Sequence, residues 1–195
     1  MAKASVVTDL DRHASTGKNA RAIARVRLTE MFGWETYVDD PYAVKNLHNL
    51  RIAAKRLRYT LEIFEETFPD ECASIIKEVE QIQEELGSLH DDDVIIALLR
   101  LSLGAQDSGA AYEQALLAAS SQDQQKAPAV NPALVKHLLQ PSRPLGAEQR
   151  EGLELLLRNL QQRRERQYTA FYQHWYQLKQ QNFQRKVLNM LADNE

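Results

Sequence analysis

Apolar residues recur three and four positions apart along most of the chain, the spacing of helices that pack on a common core. In the predicted second helix, residues 42–68, these positions are Leu47, Leu50, Ala54, Leu57, Leu61 and Phe64. In the third, which begins near Glu71, they are Ile75, Val79, Ile82 and Leu86. No stretch alternates apolar and polar residues as a half-buried strand does. The pattern predicts an all-α fold.

Start and stop signals divide this pattern into helices. The first predicted helix covers residues 18–34, and Asp39, Asp40 and Pro41 then favour the N-terminus of the second. Gly87 follows Leu86 where a left-handed C-terminal cap is common, so we expect the third helix to end there. A loop at 88–91 would follow, with Asp91 or Asp92 capping a fourth helix.

Residues 121–146 mix Gln, Ser, Pro and Ala, a composition typical of a connector. We therefore expect a helical bundle half at 18–120 and C-terminal helices at 147–191 that complete the bundle. The last long helix carries aromatic residues at helical spacing, which we interpret as core and not as a stacking platform. They are Tyr168, Phe171, Tyr172, Trp175 and Tyr176.

Composition limits the cellular compartment and the class of protein. One cysteine, Cys72, excludes an intramolecular disulfide framework and favours a reducing compartment, with Cys72 as a small core residue. The longest apolar run, residues 94–99, is too short to span a bilayer, and the first residues lack an apolar signal core. We therefore expect a cytoplasmic protein with no membrane partner. The net charge of −3 is not that of a general nucleic-acid binder.

Positive charge is nevertheless concentrated in one place, because residues 41–61 contain no Asp or Glu. At 100° per residue, four side chains of the second helix lie within roughly 80° of one another, along about 15 Å. We call these four the basic ridge: His48, Arg51, Lys55 and Arg58. Lys45 and Arg56 flank its other side. Guanidinium groups that donate two hydrogen bonds, a lysine ammonium and an imidazole can together bind phosphate oxygens.

A run of charge is, however, usually a solvated face or is paired with acids on the next helix. The acids available for such pairing are Glu78, Glu80, Glu84 and Glu85. The hypothesis of an anion site therefore requires that the cations of the basic ridge stay open to solvent and free of carboxylate partners.

The segment HNLRIAAKRLRYTLEIF resembles the signature of the CHAD family, histidine-bearing α-helical domains that bind inorganic polyphosphate. The signature positions are His48, Arg51, Lys55, Arg56 and Arg58. A second stretch, IQEELGSLHDDDVIIALL, resembles the helix-loop-helix that follows in the family, where a Leu-Gly precedes an acidic residue that opens the next helix. The matching positions are Leu86, Gly87, Asp91, Asp93 and Val94. The resemblance runs over residues 20–101 and, more loosely, to the aromatic end at Phe171, His174 and Trp175.

The resemblance implies a CHAD-type helical bundle that binds polyphosphate, or a similar polyanion, through the ridge without catalysis. It also implies a location at polyphosphate granules. The family carries the basic signature twice, whereas this sequence carries it once, so we expect a shortened or degenerate second half. Four further cations could add charge to the site or form solvated helix faces: Arg21, Arg25, Arg163 and Arg166. A homodimer would also supply a second ridge.

Two alternatives remain open. The same ridge would accept a nucleic-acid backbone, although Tyr59 is the one aromatic residue beside it for base stacking. The pair His90-Asp91 also fits an HD-type, metal-dependent phosphohydrolase, which would need His48 or His13 and a downstream Asp107 or Asp123. We expect binding with no metal, no cofactor and no catalytic residue.

Overall fold

The computed structural model describes residues 3–108 and 146–192, which contain helices joined by turns and irregular segments but no strand. Five α-helices lie in them: α1 Thr16–Phe32, α2 Val44–Ile63, α3 Glu71–Ser108, α4 Ala147–Gln180 and α5 Phe183–Met190. Short 3-10 helices at Glu35–Tyr37 and Glu65–Thr67 follow α1 and α2. The predicted all-α class is confirmed.

The chain divides into two compact units, one formed by residues 1–91 and 164–195 and the other by residues 92–163. α3 and α4 each contribute residues to both. Apart from Gly146, the predicted connector at 121–146 lies outside the described residues. The predicted division into 18–120 and 147–191 therefore stays a prediction.

α1 begins two residues earlier than predicted because Ser15 acts as its N-cap, with the hydroxyl accepting a hydrogen bond from the Lys18 backbone N–H at 3.3 Å. Its buried face is spaced four, four and three residues apart: Ala20, Ala24, Leu28 and Met31. α1 packs against α2 along this face. The two alanines allow a close approach, since interhelical distance depends on the side chains at the contact.

α2 begins at Val44 and ends at Ile63, inside the predicted 42–68. Asp40 precedes the helix and does not cap it: its carboxylate accepts a hydrogen bond from the Tyr42 N–H at 2.8 Å and so stabilises the turn before α2. The predicted core positions are confirmed from Leu47 to Leu61, all fully buried. Phe64 is half-buried and packs against the same core.

α3 runs without interruption through the predicted cap at Gly87 and the predicted loop at 88–91, so both predictions were wrong. The apolar face continues past the glycine, because Leu86, Leu89 and Ile96 are all buried. A glycine inside a helix costs about 1 kcal/mol relative to alanine. Burying each leucine contributes about 1.5–3 kcal/mol, so packing outweighs the glycine.

The aromatic residues of α4 belong to the core, as predicted. Phe171 and Trp175 are buried, and the Trp175 ring lies 5.5 Å from that of Phe32 in α1. The Tyr168 hydroxyl donates to the Val38 carbonyl at 2.6 Å. Asn182 adopts a left-handed conformation, φ 54°, which turns the chain from α4 into α5.

Cys72 is 1% exposed, and burial together with Glu65 raises the pKa of its thiol to about 11. This fits the predicted core role, because a reactive cysteine needs a lowered pKa. Within the described ranges, no helix combines the length and the apolar character required to cross a bilayer.

Candidate functional site

α2 and α3 run antiparallel, and three contacts define their register. An Arg58 nitrogen lies 2.7 Å from a Glu80 carboxylate oxygen. Towards the start of α2, the Arg51 Nε is 3.5 Å from the position that a Cβ at Gly87 would occupy. Further along, the rings of His48 and His90 have centroids 4.1 Å apart. The basic ridge therefore lies along a single face of α3.

Arg58, at one end of the ridge, is neutralised by acids. It pairs with Glu80 of α3 and, at 3.4 Å, with Glu62 one turn further along α2. Its side chain is 15% exposed. The expectation that every cation of the ridge stays free of carboxylates is therefore wrong at Arg58. The alternative of pairing with the next helix applies at this end.

The middle of the ridge keeps its charge. Arg51 is half-buried, and its Nε is buried without a hydrogen-bond partner. It has no carboxylate partner among the described residues, because Gly87 stands opposite it where Glu80 stands opposite Arg58. Lys55 is exposed, with its Nζ 5.4 Å from the centre of the Tyr59 ring. Neither cation forms an ion pair in the described part of the chain.

The other end of the ridge is a pair of histidines. His48 and His90 are half-buried, their rings are tilted by 37°, and the Nδ1 of each is buried without a hydrogen-bond partner. Burial, followed by electrostatic interactions with His90 and Arg51, lowers the pKa of His48 below its usual 6.5. At neutral pH the His48 ring is therefore mainly uncharged.

We call His48, Arg51, Lys55 and His90 the open end of the ridge. The sequence marks His90 only as half of a candidate metal-binding pair, whereas the structure places it beside His48 of the basic ridge. The spacing of Glu80, Gly87 and His90 could have indicated that His90 lies on the face of α3 that meets the ridge. These residues are seven and three positions apart and so share one helical face. That face becomes informative only once the register with α2 is known.

The residues on the far side of the ridge differ from each other. Lys45 is exposed and has no ion pair in the described ranges. An Arg56 nitrogen lies 3.9 Å from a carboxylate oxygen of Glu30 in α1, and Arg56 lines a surface groove beside Trp34 and Tyr37. This carboxylate neighbour of Arg56 therefore belongs to α1 and not to α3.

The two arginines predicted on α1 hold the fold. Arg21 donates to the Thr67 carbonyl at 3.4 Å, after the end of α2. Arg25 donates to the Leu191 carbonyl, at the end of α5. Part of the hydrogen-bonding capacity of each guanidinium is therefore used to join chain segments. Their role as anion ligands stays a prediction.

The two arginines predicted on α4 also differ. Within the second unit, Arg163 donates through two nitrogens to both carboxylate oxygens of Asp92, whose side chain is 2% exposed. Asp92 thus occupies a core position of α3 and neutralises Arg163, instead of capping a helix. Arg166 is exposed and has no ion pair in the described part of the chain.

Acids near the ridge on α3 are already engaged elsewhere in the first unit. His174 of α4 lies between two of them, with its Nδ1 2.9 Å from a Glu85 oxygen and its Nε2 3.3 Å from a Glu78 oxygen. Together with Glu80 on Arg58, three of the four acids considered for pairing have identified partners. None of the three is paired with Arg51 or Lys55.

The structure brings together some of the residues that the metal-dependent phosphohydrolase alternative requires. Its two histidines, His48 and His90, lie together, and Asp91 is exposed. No group of three or more His, Cys, Asp or Glu side chains in the described residues is placed to hold a metal ion. Asp123 lies outside those residues, and the side chain of Asp107 does as well.

A family model described as the CHAD domain matches residues 6–100. The match contains the whole basic ridge together with Gly87 and His90. No curated protein and no solved structure matches the chain significantly.

Proposed function

We propose that this chain, which belongs to the CHAD domain family through residues 6–100, binds inorganic polyphosphate or a similar linear polyanion at the open end of the ridge. The observation that carries the proposal is a row of nitrogen-bearing side chains that have no carboxylate partner in the described part of the chain. Arg51 and the two histidines each have a buried nitrogen with no hydrogen-bond partner, and Lys55 stands exposed beside them.

The chemistry of these groups favours an anion. A buried donor without an acceptor costs about 1–3 kcal/mol, and a hydrogen bond to a charged group contributes about 1.5–3 kcal/mol. Because Arg51 and the histidines are only half-buried, each presents part of its side chain at the surface, where a phosphate oxygen can approach. Lys55 adds a mobile charge that suits the next phosphate of a chain.

A repeated anion fits better than a single one. Arg51 and Lys55 are one helical turn apart, about 6 Å along α2, and His48 lies one turn and Lys45 two turns before Arg51. A polymer that carries a charge on every unit can contact these positions in succession. We infer that the chain holds this polymer without cleaving it, and that localisation at polyphosphate granules follows from the binding.

Nucleic acid is the competing partner. Tyr59 is the aromatic residue that stacking would use, but Lys55 and Arg58 already lie over its ring, at 5.4 and 5.0 Å from the centroid. Cations on that face leave less of it for a base. This arrangement favours a polyanion without bases over single-stranded RNA.

The test is a salt series with a matched control. Isothermal titration with polyphosphate of defined length should compare wild type, Arg51→Ala/Lys55→Ala and Arg185→Ala/Lys186→Ala. Each double variant removes two exposed or half-exposed cations, but Arg185 and Lys186 belong to α5 and not to the ridge. We expect the ridge variant to lose about a hundredfold in affinity at low salt and the control to lose less than threefold.

Counterion release gives a second readout. Each lost phosphate contact should flatten the slope of log affinity against log salt by about 0.7–0.9, so the ridge variant should lose roughly 1.5. Equal affinity of the ridge variant and wild type would refute the site. Preference for single-stranded RNA of the same charge would favour the competing partner, and sedimentation of the complex tests the predicted homodimer.

The inference that binding occurs without cleavage has its own test. Wild type is incubated with Mn²⁺ and either polyphosphate or phosphorylated nucleotides, and released phosphate is measured. We expect no release above the protein-free control. Release that disappears in Asp91→Asn would instead establish the metal-dependent phosphohydrolase.

A further inference from the structure

His48 and His90 form a close pair that the basic signature does not include as a unit. Their ring centroids are 4.1 Å apart, and both Nδ1 atoms are buried without a partner. Among the residues that the structure describes, neither histidine has a carboxylate partner, in contrast to His174, which lies between Glu78 and Glu85. An imidazole held by acids carries its countercharge with it, whereas this pair has none within its contacts.

The charged residues of α2 near the histidine pair are all positive. Lys45 lies one turn before His48, Arg51 one turn after it and Lys55 two turns after it. Burial is the largest cause that lowers the pKa of His48, and electrostatic interactions with His90 and Arg51 add to it.

The acids of α3 are engaged or exposed. Glu80 pairs with Arg58, and Glu85 pairs with His174 of α4. Asp91, next to His90 in sequence, is exposed to water, which screens its charge. Further along the helix, Asp92 pairs with Arg163 and Asp93 has a partner of its own.

A bound phosphate chain would reverse this balance. It brings negative charge to the half-buried side of a pair that is otherwise surrounded by cations, and so favours the imidazolium form. Two imidazolium ions at this separation would repel each other, so the pair should hold one proton and not two. By linkage, a ligand that favours proton uptake binds more tightly as the pH falls.

We propose, on the premise that the open end with its His90 binds polyphosphate, that the His48–His90 pair takes up one proton when the polyanion binds. Polyphosphate binding is then coupled to pH in the range near neutrality where imidazoles titrate. No bond of the polymer is made or broken. The proton comes from the solvent and returns to it on release.

Calorimetry in two buffers with different heats of ionisation measures this proton directly. Long-chain polyphosphate is titrated at about pH 6.5 into wild type, His48→Asn/His90→Asn and the control His13→Asn, which changes an exposed histidine outside the pair. For wild type and His13→Asn we expect the uptake of more than zero and up to one proton per binding event. For the double variant we expect only the proton exchange of polyphosphate itself.

The pH dependence of affinity provides the matching fold-change. One proton corresponds to at most about a tenfold gain in affinity per pH unit, and we expect the gain between about pH 8 and pH 6 to disappear in the double variant. Ring NMR signals of His48 and His90 in the wild type give a readout that needs no variant. The midpoint of one of the two signals should rise when polyphosphate is added.

The outcomes separate the two proposals. Tight binding without proton uptake, or with the same uptake in the double variant, overturns the coupling and leaves the proposed function intact. Failure of wild type to bind polyphosphate at low salt overturns the proposed function, and the coupling with it. Unmoved histidine signals during saturable binding also refute the role of His90.

Discussion

Arg51 and Arg58 provide a comparison within one helix. They are seven residues apart on the same side of α2, but Arg51 faces Gly87 whereas Arg58 faces Glu80. We therefore expect Arg51→Ala and Arg58→Ala to have opposite profiles. The first should weaken polyphosphate binding with little effect on folding, and the second should affect folding more than binding.

The magnitudes follow from the partners. Losing one charge-assisted hydrogen bond costs about 1.5 kcal/mol or more, so Arg51→Ala should bind at least about tenfold more weakly. Its free energy of unfolding should change little, because no ion pair is lost. Arg58→Ala removes pairs with Glu62 and Glu80, which are 38% and 43% exposed, so solvent screening limits the loss to about 0.5–1 kcal/mol for the pairs.

The assay combines titration calorimetry at two salt concentrations with urea denaturation of both variants. Arg51→Ala should flatten the salt dependence by about 0.7–0.9, and Arg58→Ala should leave it within error of wild type. The reasoning is refuted if Arg58→Ala loses as much affinity as Arg51→Ala, because the neutralised end would then be part of the site.

Three further results are expected from the same protein. A Cβ at Gly87 would lie 3.5 Å from the Arg51 Nε, which is an ordinary contact. Gly87→Ala should therefore raise the free energy of unfolding by up to about 1 kcal/mol and retain polyphosphate affinity in titration calorimetry. The larger side chain of Gly87→Leu should displace Arg51 and weaken binding. Equal binding by Gly87→Leu would contradict this. Because burial lowers the pKa of His48 in the folded chain, the unfolded chain takes up the proton first as the pH falls below 6.5. Urea denaturation should therefore show stability present above pH 6.5 and partly lost as the pH falls through the folded pKa, with a smaller loss in His48→Asn; an equal loss would count against the burial of this ring. The Asp92 side chain is 2% exposed and its partner Arg163 is 52% exposed. Arg163→Ala should therefore lower the melting temperature more than Asp92→Asn, because only Arg163→Ala leaves a buried carboxylate unpaired. The reverse order of melting temperatures would refute this.

The parts of the fold that depend on one helix at a time could be predicted from the sequence. The buried face of α2, from Leu47 to Leu61, and the placement of Arg51 and Lys55 beside that face both follow from helical periodicity. Phe171 and Trp175 could be assigned to the core for the same reason. These positions require no knowledge of neighbouring helices.

The errors arose where two helices meet. Gly87 has the sequence context of a cap, but it lies inside α3, where Leu86 and Leu89 are buried on either side of it. Glu80 was one of four candidate acids, and only the antiparallel register of α2 and α3 selects it as the partner of Arg58. The same register brings His90 to His48, so the open end could not be defined from the periodicity of α2 alone.

The central claim is that polyphosphate binds at Arg51 and not at Arg58. Arginine Nε–H NMR signals, assigned by Arg51→Lys and Arg58→Lys, report on both groups in a single titration of wild type with tripolyphosphate. We predict a saturable shift of the Arg51 signal while the Arg58 signal stays in place. A shift confined to Arg58, or saturable binding that leaves Arg51 unchanged, would contradict the account.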